Sequence, residues 1–120
     1  YSPDHFSKMK LKEIHKSEVG SEIPTNAFAT TFFFGDDPVA YAVARAEAGI
    51  TCHKVGHNKN GTVDRGLFQI NSIHDWRFKK FGGDPFNCWD NARVAYEIQK
   101  EQGWRPWSVY NSGSYLAFMP

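Results

Sequence analysis

The sequence predicts an α+β fold, mainly helical, with a small β-hairpin flanking a cleft. Three observations carry that prediction. Asp36-Asp37-Pro38 sets a capping carboxylate and a first-turn proline ahead of an Ala- and Val-rich stretch that stops at Gly49. Asn60-Gly61 is a strong hairpin signal, because both residues accept positive φ. Asp84-Pro85 then repeats the helix-start grammar, with Gly103 as its stop. Helices interrupted by one hairpin make an α+β arrangement.

In chain order, Ser2 to Ser21 sets Phe6, Met9, Leu11 and Ile14 among Lys8, Lys10, Lys12 and Lys16, which reads as a helix. Asp4, Glu13, Glu18 and Glu22 interrupt the lysines, so they read as a solvated face rather than a polyanion-binding strip. Ala27 to Phe34 is core, although an unbroken apolar run does not separate helix from strand. The next helix follows Asp37-Pro38 and carries Glu47 in its last turn. A hairpin is expected from about Gly56 to Gln69. The helix opened by Asp84-Pro85 runs to Gln102, with Cys88, Ala92, Ala95 and Ile98 forming a buried stripe. Phe81-Gly82-Gly83 and Trp104-Arg105-Pro106-Trp107 flank it as loops.

A chain of 120 residues has room for one domain, residues 1–120, of which 1–34 form an N-terminal extension of unclear role. Ten Phe, five Tyr and four Trp argue for a packed core rather than disorder. A formal net charge of +1 gives little steering toward polyanions, so nucleic acid is not an expected partner. The longest mostly apolar stretch falls far short of the ~20 residues a bilayer-spanning helix needs, so a membrane is not expected either. Because the chain opens with Tyr1, it reads as a processed protein or a piece of a larger polypeptide, with any export signal already missing.

Cys52 and Cys88 suit one disulfide, which would tie the segment after the Glu47 helix to a second helix and stiffen whatever lies between. On the chain-entropy model such a link is worth roughly 4 kcal/mol, and it implies an oxidising, extracytoplasmic setting. Two buried free thiols are the alternative.

The chemistry-bearing feature is Glu47, followed seventeen positions later by Asp64 at the head of Asp64-Arg65-Gly66-Leu67-Phe68-Gln69-Ile70-Asn71. A helix end and a hairpin thereby bring two carboxyl groups face to face. Cleaving an acetal requires one carboxyl that is protonated at working pH and another that is ionised, and identical surroundings cannot supply both. Val43-Ala44-Arg45-Ala46-Glu47-Ala48-Gly49-Ile50 is an apolar context, where desolvation raises the pKa of Glu47 and favours the neutral acid. Asp64 lies among polar, flexible residues that would keep it charged. The pair reads as sugar-cleaving.

These residues resemble the lysozyme superfamily of peptidoglycan-cleaving enzymes. The resemblance is carried by the Glu, the gap of seventeen, Asn58-Lys59-Asn60-Gly61-Thr62-Val63-Asp64 and the run Gly66 to Ser72, which is similar to both animal-type lysozymes and soluble lytic transglycosylases. Tyr110-Asn111-Ser112-Gly113 is similar to the Tyr-Asn-Ala-Gly motif of the transglycosylases, and Asp84-Pro85 with Asn91 to Tyr96 resembles the helix behind their cleft. The resemblance covers about Asp37 to Tyr115. It implies a lysozyme-like fold that binds alternating N-acetylmuramic acid and N-acetylglucosamine and cuts the β-1,4 bond between them, with no metal or organic cofactor.

Within that resemblance Glu47 is the expected general acid and Asp64 the second carboxylate. The plain alternatives are a solvated helix-end carboxylate for Glu47 and a turn cap for Asp64. Gln69 and Asn71 alternate along a strand-like run and would turn their amides toward N-acetyl groups and hydroxyls, with Phe68 and Ile70 facing the core. Tyr110 would orient Glu47 or substrate, with Asn111 beside it, and Trp76 would stack on a sugar ring. Trp104 and Trp107 could do the same or simply fill the core. Two departures stand out: Ala48 replaces the Ser that usually follows the Glu, and Ile73-His74-Asp75 replaces the paired Trp of animal-type enzymes. A single cysteine pair points to a bacterial or phage source. The domain would then act outside the cytoplasm, secreted, at the cell wall or as part of a virion.

Two chemistries fit the expected activity. In a muramidase, water attacks with the help of Asp64; in a lytic transglycosylase, the 6-hydroxyl of the substrate attacks and a 1,6-anhydro sugar forms. A lysozyme-fold binding or structural module without catalysis is the reading from another class. Cys52, His53, His57 and His74 are zinc-ligand types, but they lack the paired spacing of a zinc site, so no metal is expected.

Overall fold

The computed structural model describes residues 25–120, and the helix expected over Ser2 to Ser21 lies outside the described residues. Helices α1 (Thr25–Phe34) and α2 (Pro38–Ala48) come first. Strands β1 (Val55–His57), β2 (Val63–Arg65) and β3 (Ile70–Asn71) follow, then α3 (Asp75–Lys79), α4 (Cys88–Gln102) and α5 (Ser108–Asn111). Short 3-10 turns at Ser72–His74 and Ser114–Phe118 complete the chain. The expected mainly helical α+β class is what the chain adopts.

The apolar run whose type the sequence left open is helix α1. The hydroxyls of Thr30 and Thr31 donate back to the carbonyls of Asn26 and Ala27, four residues earlier, so both are satisfied within the helix. Ala29 and Phe33, also four apart, are buried. Phe28 and Phe32 pack on Trp89 of α4, and Phe34 packs among Phe68, Tyr96 and Trp104. Helix α1 therefore packs into the core through Phe28, Ala29, Phe32, Phe33 and Phe34.

Helix α2 begins and ends as its sequence dictates. The Asp37 carboxylate accepts the Val39 N–H at 2.9 Å, and Gly49 closes the helix in the left-handed region with φ 60°, its N–H donating to the Arg45 carbonyl. Ile50 is also left-handed, at φ 59°, and the Asn26 amide donates to its carbonyl. The chain therefore turns sharply right after Glu47. Helix α4 starts later than Asp84-Pro85 suggested. Asn87 supplies the real cap by accepting the N–H groups of Trp89 and Asp90, each at 3.0 Å, whereas Asp84 accepts only the Phe86 N–H of a local turn. The expected stop at Gly103 holds.

The hairpin grows into a three-stranded antiparallel sheet in the order β1-β2-β3, with His57 opposite Val63 and Asp64 opposite Asn71. The two-residue Asn60-Gly61 turn gives way to a longer loop closed by the Asn58 N–H on the Thr62 carbonyl at 3.0 Å. Gly61 alone takes positive φ, at 85°, while the Asn60 side chain accepts the Thr62 N–H. Gln69 is not on a strand: it occupies a turn at φ 51°, one residue before β3.

Asn91 fastens the sheet to α4. Fully buried, it accepts the Phe68 N–H at 2.8 Å and donates to the carbonyls of Arg65 and Pro85, each at 2.9 Å. Gly66 passes so close, at φ 80°, that a Cβ there would collide with the Pro85 carbonyl and the Asn91 amide. A second tie joins α3 to α4: the nearly buried Arg77 guanidinium forks onto Glu101 at 2.7 and 3.0 Å and reaches Glu97 at 2.6 Å.

Cys52 and Cys88 are joined, with Cα atoms 5.4 Å apart and no free cysteine among the described residues. Opening the link frees a loop with a sequence separation of 36. Reduction, or the Cys52→Ser/Cys88→Ser pair, is expected to lower unfolding stability by about 4 kcal/mol. Urea unfolding with and without reductant measures this directly, and a loss below about 1 kcal/mol would show that the sheet and helices hold without it. No described helix is long and apolar enough to cross a membrane.

Candidate active site

The capped end of α2 and the sheet face each other across an open cavity of about 480 Å³. One wall comes from the segment between the two cysteines: Lys54, Asp64, Gln69, Ile70, Asn71, Ile73 and His74. The rest of the lining comes from Glu47 at the end of α2, from Ile98 and Gln102 of α4, and from Pro106, Trp107 and Ser108. Both carboxyl groups singled out from the sequence thus border one space.

Their surroundings differ. Burial pushes the Glu47 carboxyl up to about 7; the nearby Asp64 charge adds to the rise, and Lys54 opposes it. Lys54 is held in place because its Nζ donates to the Glu47 backbone carbonyl at 2.6 Å. Among the described residues the Glu47 carboxyl has no hydrogen-bond partner, whereas Asp64 is gripped by amides. Asn71 Nδ2 donates to its Oδ1 at 2.9 Å and Asn58 Nδ2 to its Oδ2 at 3.2 Å. Glu47 is therefore a carboxyl that can hold its proton near neutral pH, and Asp64 is a fixed oxygen acceptor a short way off. Such a pair can protonate a leaving oxygen and stabilise positive charge at the carbon it leaves.

Gln69 and Asn71 line the cavity, but their amide nitrogens already serve the protein. Gln69 Nε2 donates to the carbonyls of Lys54 and Gly66, each at 3.0 Å. Asn71 Nδ2 reaches Thr62 and Asp64, and its Oδ1 accepts the Ile73 N–H. The remaining three residues expected to bind substrate lie outside the cavity lining. Tyr110 stacks on Tyr115 with ring centroids 4.9 Å apart, and Asn111 donates to the Arg105 carbonyl. Trp76 is half exposed, with the cations of Arg77 and Lys80 over its ring. Of the two other tryptophans considered for sugar stacking, Trp107 borders the cavity as a buried wall, its indole N–H donating to the Phe68 carbonyl at 2.9 Å. Trp104 packs inside against Phe34.

Lys54, Gln102 and Ser108 reach the cavity without having been singled out from the sequence. They come from a loop, a helix end and a short helix brought together by tertiary packing, so no local pattern marks them. His74 was weighed only as a metal ligand. Its signal was its place just past Gln69-Ile70-Asn71-Ser72, where the resemblance led one to look for tryptophan. Among the described residues no group of His, Cys, Asp and Glu is arranged to hold a metal ion.

Residues 26–109 match the family model described as a lysozyme-like domain. The chain is also 32% identical, over 96 residues, to the invasion protein IagB of Salmonella typhimurium strains SL1344 and LT2 and of Salmonella typhi. That alignment takes in 72% of this chain and 60% of the relatives' length. The stretch matched by the family model includes all of α1 but its first residue, the sheet, the disulfide and every cavity residue named above.

Proposed function

Because the chain belongs to the lysozyme-like domain family, we propose that it cleaves the β-1,4 bond between N-acetylmuramic acid and N-acetylglucosamine in peptidoglycan, with Glu47 as the proton donor. The observation that carries the reading is the Glu47 carboxyl, raised to about 7 by burial inside the cavity that Asp64 shares. Glu47 hands its proton to the glycosidic oxygen as the bond to the anomeric carbon breaks. The Asp64 carboxylate, fixed by Asn58 and Asn71, stabilises the positive charge that develops on the sugar.

The second half of the reaction follows from the hydrogen bonding. Both Asp64 oxygens already accept amide hydrogens, while Glu47, ionised after the first step, is unencumbered. Glu47 therefore suits the base role. It takes the proton from the 6-hydroxyl of the N-acetylmuramic acid as that oxygen attacks the anomeric carbon, giving a 1,6-anhydro sugar and returning Glu47 to its acid form. The muramidase route, in which Asp64 helps water attack, is the second reading, favoured by both carboxyls lining one cavity. The place of action is extracytoplasmic, where peptidoglycan lies and the Cys52–Cys88 link persists. The relatives matched are bacterial, which supports a bacterial rather than a phage source.

Mass spectrometry of soluble, unreduced muropeptides released from purified peptidoglycan tests this. Products ending in 1,6-anhydro sugars, one water lighter than hydrolytic ones, are expected. Free reducing N-acetylmuramic acid would establish the muramidase route instead. Release of nothing, with glycan still bound, would move the chain to the non-catalytic module.

A further inference from the structure

The sheet-side wall of the cavity is rich in polar side chains, and its amide donors are already engaged. The amide hydrogens of Gln69 and Asn71 go to protein acceptors, and the Lys54 ammonium gives one of its three hydrogens to the Glu47 carbonyl. His74 differs. Its Nδ1 faces the Nε–H of Arg77 at 3.2 Å. A guanidinium only donates, so Nδ1 must offer its lone pair, and the single proton of the neutral ring then sits on Nε2.

The ring is set by a rigid neighbour, because Arg77 is itself fixed by Glu97 and Glu101. Lys80 shares Glu97 at 3.2 Å, and Asp75, next along the chain, is paired with Arg65 rather than with the imidazole. Burial and the Arg77 charge hold the His74 pKa below its ordinary value, against the weaker pull of Glu101 and Glu97, which keeps the ring neutral. Among the described residues no acceptor meets Nε2. Beside it Ile73, 66% exposed, also lines the cavity and offers an apolar shelf of the kind a sugar face packs on.

We propose that His74 is a glycan-binding residue whose Nε2–H donates to a neutral oxygen of the bound sugar, an acetamido carbonyl or a hydroxyl, with Ile73 packing beneath that ring. The assignment rests on the reading of this cavity as a glycan site. A neutral donor suits a neutral acceptor, and Arg77, the cation that bonds the ring, is not part of the cavity lining and is engaged by Glu97 and Glu101. The arrangement gives the chain a hydrogen-bonding contact at the place where the resembling animal-type enzymes carry tryptophan.

The test uses the Glu47→Gln chain, which binds without turning over, titrated with the tetramer of N-acetylglucosamine while long-range 1H–15N spectra report the imidazole nitrogens. The free protein is expected to show the Nε2–H tautomer, and ligand should shift the Nε2 resonance. Adding His74→Ala should weaken binding about tenfold at an unchanged thermal midpoint, and His74→Gln, which carries an N–H to nearly the same position, should recover most of it. An Nδ1–H tautomer overturns the proposal. So does saturable binding that leaves the His74 resonances and the His74→Ala affinity unaltered, and in that case the glycan-site reading stands. Absence of any tetramer binding overturns both.

Discussion

Glu47→Gln is expected to reduce release of soluble muropeptides by about a thousandfold while leaving the fold intact. A positioned general acid contributes roughly 10²–10⁴ to the rate, and here the same carboxyl serves both halves of the proposed reaction. Glutamine keeps the shape and hydrogen-bonding reach but has no proton to give. The pH behaviour follows from the raised pKa. The acid form is needed, so activity should fall as pH rises through about 7. Stability should change in the same window. Folding favours the protonated carboxyl, so the folded state binds more protons than the unfolded one between the ordinary value of 4.5 and about 7, and the native protein loses stability as pH rises across that range. Near pH 4 the two proteins should unfold alike. At pH 8 the variant should be the more stable, by about 2 kcal/mol after allowing for partial solvent screening. Undiminished lysis by the variant would remove Glu47 from the mechanism, and a stability gap independent of pH would remove the burial argument.

The second large effect is expected away from the cavity, at Asn91. Asn91→Ala strips partners from one buried N–H and two carbonyls and leaves a void in a fully buried position, so a loss of about 3–5 kcal/mol is expected. Asn91→Asp should be no better. It keeps the acceptor for Phe68 but sets a carboxylate against the Arg65 and Pro85 carbonyls it must now repel. Urea unfolding followed by tryptophan fluorescence is a suitable measure, since Trp89 and Trp107 are buried. A midpoint within 1 kcal/mol of the parent would show that other contacts hold the sheet to α4. If the loss appears and muropeptide release falls with it, the tie also sets the distance across the cavity.

How much of this was legible in the sequence depended on whether the signal was local. The α2 boundaries and the placing of Glu47 in its last turn follow from Asp37, Pro38 and Gly49, which act on their own neighbours. The α4 start was displaced because Asp84 closes only a local turn, and Asn87, three residues on and not marked by the Asp-Pro signal, meets the helix N–H groups. In α1 the apolar residues run all round, so the sequence carried no phase to distinguish a helix from a strand. Asn60-Gly61 marked the reversal correctly, but the five-residue span from Asn58 to Thr62 is set by side-chain bonds of Asn60 and Thr62. The roles of Asn91 and His74 were not legible at all. Each depends on partners more than one element away or on an arginine whose orientation is imposed by another helix. Trp76, Tyr110 and Asn111 lie beyond the cavity for the same reason: adjacency in sequence to cavity residues does not fix the side of the chain they emerge from.

The Cys52–Cys88 link makes the stretch between them a covalent ring, and Glu47, the proposed acid, is not in it. Everything on the sheet-side wall, from Lys54 to His74, belongs to the ring, whereas Glu47, Ile98, Gln102 and Trp107 belong to the remainder of the chain. The proposed proton donor and the groups it would work with are thus parts of two bodies, joined where the backbone enters the ring at Cys52 and leaves it at Cys88, and docked through Asn91 and Arg77. The site exists only while those bodies are seated on each other. A disturbance that loosens the seat, well short of unfolding either body, would part donor from acceptor and leave a chain that is folded, soluble and silent.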